Sequence, residues 1–140
     1  MHCARCLIFA LLCLTTNSAF AECYPESAAA AERGAREART WQALYDVYQR
    51  FRICDDGAVG KAYSASVSAL LTTQWSSISD LSKLVARTPK FRVFVLRHID
   101  SSMSSTQAQT IIRNADETCP RGQRSLCSAI AARVRSVAIR

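Results

Sequence analysis

Apolar residues recur every three or four positions along most of this chain, and that spacing constrains the fold more than any other feature. Trp41, Leu44, Tyr45, Tyr48 and Phe51 form one such stripe, and residues with this spacing lie on one face of an α-helix. Similar stripes follow over residues 59–71, 78–85, 91–99, 111–115 and 126–137. No strand-like alternation of apolar and polar residues persists, so the sequence predicts an all-α fold.

Capping residues divide these stripes into separate helices. Asp55 or Asp56 is expected to cap the helix that follows them, and Ser125 to cap the last helix. Ser104 and Gln107 have the spacing of a capping box. The chain has 140 residues, of which 49% are hydrophobic, and this length suits one domain. We therefore predict a single-domain bundle of about six short helices.

Residues 1–21 follow the plan of a secretory signal peptide. Arg5 lies in a short basic segment, an apolar run covers residues 6–14, and Ala19-Phe20-Ala21 resembles a cleavage site. The apolar run has about half the length that a membrane-spanning helix needs. The pattern predicts an exported, periplasmic protein that does not span the membrane, with its folded domain in residues 22–140.

Four cysteines remain in residues 22–140, namely Cys23, Cys54, Cys119 and Cys127. An even number of cysteines in a small exported domain predicts disulfides, here two. A metal site is not expected, because these cysteines lack C-x-x-C spacing and His98 is the one histidine of the domain.

The sequence leaves the disulfide connectivity open. Cys119 and Cys127 flank a Pro-Arg-Gly turn and could close a short loop, which leaves Cys23 to pair with Cys54. A straight helix over residues 27–52 would span about 39 Å, so this second pairing requires a break, for which Gly34 is the candidate. Without a break, Cys23 and Cys54 must each pair with one of the two late cysteines.

Catalytic motifs are few. His98 and Asp100 could form a relay, but no serine stands in a G-x-S-x-G motif. A single histidine at the edge of a buried stripe is more often structural. We predict a protein that is not an enzyme and that has no catalytic residue, cofactor or metal ion.

Charge suggests two surfaces for partners. Asp55 and Asp56 form an acidic turn, and two exposed carboxylates beside a disulfide are the predicted contact with a partner protein. Residues 119–140 contain five arginines, including Arg133 and Arg135, and no acidic residue. This last helix could meet an anionic surface or an acidic protein, or present a solvated face. Nucleic acid is not an expected partner, since no aromatic residues interleave with the basic ones.

The layout of a signal peptide, a short helical domain and a disulfide resembles the periplasmic immunity proteins of type VI secretion amidase effectors. The stretch Cys54-Asp55-Asp56-Gly57, with the later Cys119-Pro120 and Leu126-Cys127, is also similar to small exported proteins of Gram-negative bacteria. The resemblance implies a non-enzymatic protein that binds and blocks a secreted effector protein.

The size, the six-helix plan and the wide first cysteine spacing also resemble insect odorant-binding proteins. Positions 57 and 58 are Gly and Ala, however, so the C-x3-C pair of that family is missing. This second resemblance implies the alternative function, a helical carrier of small apolar ligands.

Overall fold

The computed structural model describes residues 22–138, so the predicted signal peptide lies outside the described residues. Two short 3-10 turns, Arg52–Cys54 and Trp75–Ser77, precede the third and fourth helices. The all-α prediction is confirmed, and the described residues contain no strand. Their seven α-helices are α1 (Pro25–Glu37), α2 (Trp41–Phe51), α3 (Gly57–Thr73), α4 (Ile78–Arg87), α5 (Pro89–Arg97), α6 (Ser105–Glu117) and α7 (Arg124–Ala138).

The break between α1 and α2 lies after Glu37 and not at Gly34. Thr40 has an extended backbone, and its Oγ1 accepts a hydrogen bond from the Ala43 N–H at 3.1 Å, so Thr40 caps α2. Gly34 lies inside α1, where a Cβ atom would approach Val47 Cγ2 to 3.0 Å. The prediction of a break at Gly34 is therefore wrong, because this glycine serves close packing of α1 on α2.

The break allows the chain to reverse and brings Cys23, before α1, to Cys54, after α2. Their Cα atoms lie 4.9 Å apart in a disulfide. The second disulfide joins Cys119 to Cys127, with Cα atoms 6.1 Å apart. The prediction of two disulfides is confirmed, and the connectivity is the one that requires a break between α1 and α2.

Helix α3 is the centre of the bundle and packs against both α1 and α6. It runs parallel to α1, since the Cys23–Cys54 bond joins their starts and Ser66 Oγ donates a hydrogen bond to the Ala35 carbonyl further along. Helix α6 packs along α7. Most of the circumference of α3 is therefore covered, and even Ser64 is buried on it.

Two predicted caps are confirmed and one is wrong. Asp56 Oδ1 accepts a hydrogen bond from the Gly57 N–H at 2.7 Å, and Ser104 with Gln107 forms a reciprocal capping box before α6. Ser125 is not a cap, because α7 already begins at Arg124. The turn within the Cys119–Cys127 loop, where one glycine has a φ of +79°, starts this helix earlier than the sequence pattern indicates.

Candidate functional site in the turn after Cys54

The predicted partner contact lies in a sharp turn between α2 and α3, which we call the disulfide turn (residues 53–57). The Asp56 N–H donates to the Cys54 carbonyl at 2.9 Å and closes the turn. Gly57 then has a φ of +53°, a conformation that glycine adopts at little cost. Asp56 is exposed at the start of α3, as predicted.

Asp55 points the other way, into the protein. Its side chain is only 8% exposed and accepts a hydrogen bond from the Arg97 guanidinium. One of its carboxylate oxygens also lies 3.1 Å from His98 Nε2. The expectation that both carboxylates are exposed is therefore wrong for Asp55, because α5 supplies a cation and an imidazole beneath the turn. Whether either carboxylate contacts a partner remains a prediction.

His98 continues this contact into a chain of buried polar groups. Its Nδ1 lies 3.0 Å from Ser64 Oγ, and the Ser64 hydroxyl donates to Asp100 Oδ2 at 2.6 Å. Asp100 in turn accepts hydrogen bonds from the backbone N–H and the hydroxyl of Ser102. We call the series Asp55, His98, Ser64 and Asp100 the buried polar chain. It connects the disulfide turn to α3, α5 and the segment after α5.

The local sequence places these groups well. His98 caps the C-terminal end of α5, and its ring packs against Phe94 and Tyr63 with centroids 4.5 and 5.4 Å away. The sequence suggested a pairing of His98 with Asp100 but did not identify Ser64. A usable signal is that Lys61 is the only charged residue within α3, which indicates a helix that is buried on several sides.

Two effects oppose each other in the protonation of His98. The buried polar chain has three contacts, Asp55–His98, His98–Ser64 and Ser64–Asp100, and each needs one hydrogen. When both carboxylates are ionised, the Ser64 hydroxyl and a neutral imidazole supply only two hydrogens. A charged ring would complete the chain. Burial of the ring, reinforced by the Arg97 guanidinium and only partly opposed by Asp100, nevertheless lowers the pKa of His98 to about 4. The ring is therefore neutral at pH 7.

Asp100 is held in its ionised form by its neighbours. Partial burial raises the pKa of this carboxyl group, but the hydrogen bonds donated by Ser102 and Ser64 outweigh burial and leave the pKa below its ordinary value. The carboxylate can therefore accept the Ser64 hydroxyl at neutral pH.

The order serine, histidine, aspartate is that of a hydrolase triad, but the geometry suits a structural role. A nucleophile must reach its substrate, whereas Ser64 is 3% exposed and its hydroxyl donates to Asp100. What this arrangement does is cross-link the disulfide turn to the core. Within residues 22–138, no three histidine, cysteine or acidic side chains are grouped as ligands of a metal ion.

The outer side of the turn is apolar as well as acidic. Tyr24 and Ile53 are 66% and 53% exposed, and they are two of the three large hydrophobic side chains exposed in the described part of the chain. Each is the chain neighbour of a cysteine in the Cys23–Cys54 bond, so both lie near this disulfide. A groove of about 600 Å³ beside them is lined by Ile53, Asp56 and residues that begin α1 and α3.

Two of the three arginines of α7 are engaged within the protein. Arg133 Nε donates hydrogen bonds to the carbonyls of Leu96 and Ile99, and Arg135 pairs with Asp116. These contacts join α7 to α5 and α6. The two side chains are consequently less available to an anionic partner than their sequence positions suggest.

Comparison with known proteins adds no relative, since no protein family, curated protein or solved structure matches this chain. Among the helices of the described residues, none is long and apolar enough to cross a membrane.

Proposed function

We propose that this is an exported, non-enzymatic protein that binds and blocks a partner protein, in the manner of a periplasmic immunity protein. The observation that carries the proposal is the outer face of the disulfide turn. Tyr24 and Ile53 are exposed there beside the Asp56 carboxylate. Large apolar side chains next to a charged group are typical of the anchors and rims of protein interfaces.

The anchoring of the turn supports the same proposal. A disulfide holds Cys54 from one side, and the contacts of Asp55 with Arg97 and His98 hold the turn from within. A surface that is already rigid loses less conformational entropy on binding. Asp55 thus keeps the turn in place, while Asp56 is the carboxylate that contacts the partner.

Export is supported by two features of different origin. The pattern of residues 1–21 is that of a signal peptide, and both disulfides of the described domain suit an oxidising compartment. Because residues 22–60 carry seven acidic and five basic side chains, the complementary partner is a secreted effector with a basic binding surface.

The test measures association with a secreted effector encoded beside this protein, by surface plasmon resonance. The double variant Tyr24→Ser with Ile53→Ser should weaken affinity by about tenfold or more, as removal of two interface anchors does. Asp56→Asn should slow association a few-fold at low salt only. The matched control is Val93→Ser, an equally exposed apolar residue on α5, which should leave affinity unchanged.

Two results would contradict the proposal. One is the absence of any binding to that effector by the oxidised protein. The other is an equal loss of affinity in Val93→Ser, which would place the contact elsewhere.

The non-enzymatic part has its own test. Ser64→Ala and His98→Gln should leave inhibition of the effector within a few-fold of the wild type, once both variants are shown to be folded. A thousandfold loss with an intact fold would indicate acid–base or nucleophilic catalysis instead.

The carrier alternative is supported by one groove between α6 and α7. Its volume is about 390 Å³, and Met103, Ile112 and Val137 line it together with polar residues. A volume of this size suits a small ligand, although the groove is open to solvent. Fluorescence of N-phenyl-1-naphthylamine tests this function, with Ile112→Gln as the variant that should abolish the signal.

A further inference from the structure

Four cations on α5 and on the segment after Cys119 are exposed or partly exposed, namely Lys90, Arg92, Arg121 and Arg124. Arg92 Nη2 donates to the Ser125 carbonyl at 3.4 Å, and this contact places the α5 cations next to those of the Cys119–Cys127 loop. We call this surface, together with the exposed Val93 of α5, the α5 patch. Its members are Lys90, Arg92, Val93, Arg121 and Arg124.

The α5 patch contributes four cations to a described domain of net positive charge. Residues 22–138 contain 16 basic and 11 acidic side chains, and outside the four cations of the patch the counts are 12 and 11. Neither residues 81–99 nor residues 118–138 contain an acidic side chain. The segments that form the patch therefore contain no carboxylate of their own that could offset its positive charge.

An apolar side chain lies between two of these cations on α5. Val93 is 66% exposed, and the helical repeat places it on the outer face of α5, with Lys90 on one flank and Arg92 on the other. At an anionic membrane surface, cations contact the lipid phosphates, and an apolar side chain between them can enter the headgroup boundary.

A protein partner suits this surface less well than a lipid surface does. Protein interfaces use aromatic and large apolar anchors, and those lie at the disulfide turn, where Tyr24 and Ile53 are exposed. The α5 patch offers one valine and four cations instead. We propose that the α5 patch binds the phosphate headgroups of an anionic lipid membrane, independently of the partner contact at the disulfide turn.

The experiment is co-sedimentation of the oxidised domain with vesicles. Half of the lipid in one set is phosphatidylglycerol and the remainder phosphatidylcholine, and the other set is phosphatidylcholine alone. Binding should require phosphatidylglycerol and weaken as salt rises. The double variant Lys90→Gln with Arg124→Gln should lower affinity about 25-fold at low salt, at about fivefold for each cation near a charged membrane.

A matched control separates the patch from net charge. Arg33→Gln with Lys61→Gln removes the same charge from exposed positions on α1 and α3 and should change vesicle affinity by less than about threefold, since distant charges are screened. An equal loss in both double variants, or no binding to phosphatidylglycerol vesicles by the wild type, would overturn the proposal.

A second arm separates a membrane from a soluble polyanion. Val93→Ser should weaken binding to phosphatidylglycerol vesicles several-fold and leave binding to inorganic polyphosphate unchanged, whereas Ile53→Ser should affect neither. If Val93→Ser leaves vesicle binding intact, the patch recognises phosphate charge alone, and the membrane assignment is wrong.

Discussion

The two disulfides close regions of opposite character. Cys23 and Cys54 are 31 residues apart and join the start of α1 to the disulfide turn, whereas Cys119 and Cys127 are 8 residues apart and close a local loop. The buried polar chain lies beneath the first bond and places polar and charged side chains inside the protein. Around the second, Arg121 and Arg124 keep their charge outside. One region is held from within, and the other presents its charge to the solvent.

This difference predicts that the polar groups near the first disulfide affect stability, and that the arginines near the second affect binding at the surface. The free energy of unfolding should respond more to changes in the disulfide turn and the buried polar chain than to changes in the Cys119–Cys127 loop. The predictions that follow test this contrast from the largest expected effect to the smallest.

Removal of the first disulfide should cost the most. A disulfide that closes a longer loop removes more conformational entropy from the unfolded chain. Cys23→Ala with Cys54→Ala should therefore lower the free energy of unfolding by about 4 kcal/mol, and Cys119→Ala with Cys127→Ala by about 2.5 kcal/mol. Each pair includes one fully buried cysteine, so the packing losses are matched. Urea unfolding measures both, and an equal loss would break the contrast.

Acid should destabilise the protein through His98. The pKa of His98 is about 4 in the folded protein against 6.5 ordinarily, so the unfolded chain binds its proton first as the pH falls. The stabilisation is fully present above pH 6.5 and is lost as pH falls from 6.5 to about 4, by about 3 kcal/mol in total.

Thermal unfolding measured across this pH range tests the slope. His98→Gln should remove the loss of stability between pH 6.5 and 4. It should leave the further loss at lower pH, where Asp100 is protonated. A wild-type curve that is flat from pH 7 to 4.5 would contradict a neutral, buried His98.

The two aspartates of the turn should differ in stability. Asp55→Ala removes a buried carboxylate that accepts a hydrogen bond from Arg97 and lies against His98, and should cost about 2 kcal/mol, as the loss of a buried hydrogen-bonding group does. Asp56→Ala removes one helix cap and should cost about 1 kcal/mol. Urea unfolding of the two variants compares them directly, and the reverse order would place Asp55 at the surface.

The smallest effect concerns Gly34. Alanine is favoured over glycine inside a helix by about 1 kcal/mol, but its Cβ would press on Val47, so Gly34→Ala should change stability by less than about 1 kcal/mol. In a Val47→Ala background the same substitution should stabilise. A loss in both backgrounds would indicate a non-helical Gly34.

Local signals in the sequence were sufficient for the helices and for the Ser104 capping box, because periodicity and caps act over a few residues. The disulfide connectivity was not decided, since it depends on whether the chain breaks at Gly34 or after Glu37. In this case the Thr40 cap decides the position. A threonine before a tryptophan is a usable signal, but it competes with glycine in the same segment.

The site was predictable only in part because its contacts are distant in sequence. Ser64 lies 34 residues from His98 and 36 from Asp100, and Asp55 lies 43 residues from His98. Each of these side chains is consistent with a solvated residue when its own neighbours alone are considered. The approach of α5 to α3 under the disulfide turn is what makes Asp55 structural and leaves Asp56 exposed.

The central claim is that His98 lies buried and neutral beneath the disulfide turn, and its most direct test is the titration of His98. His98 is the only histidine of residues 22–140, so the imidazole NMR signals of the exported domain belong to it alone. We expect a midpoint near pH 4, as burial dictates. A midpoint at or above the ordinary value of 6.5 would contradict the account, because the ring would then be solvated or paired as a cation.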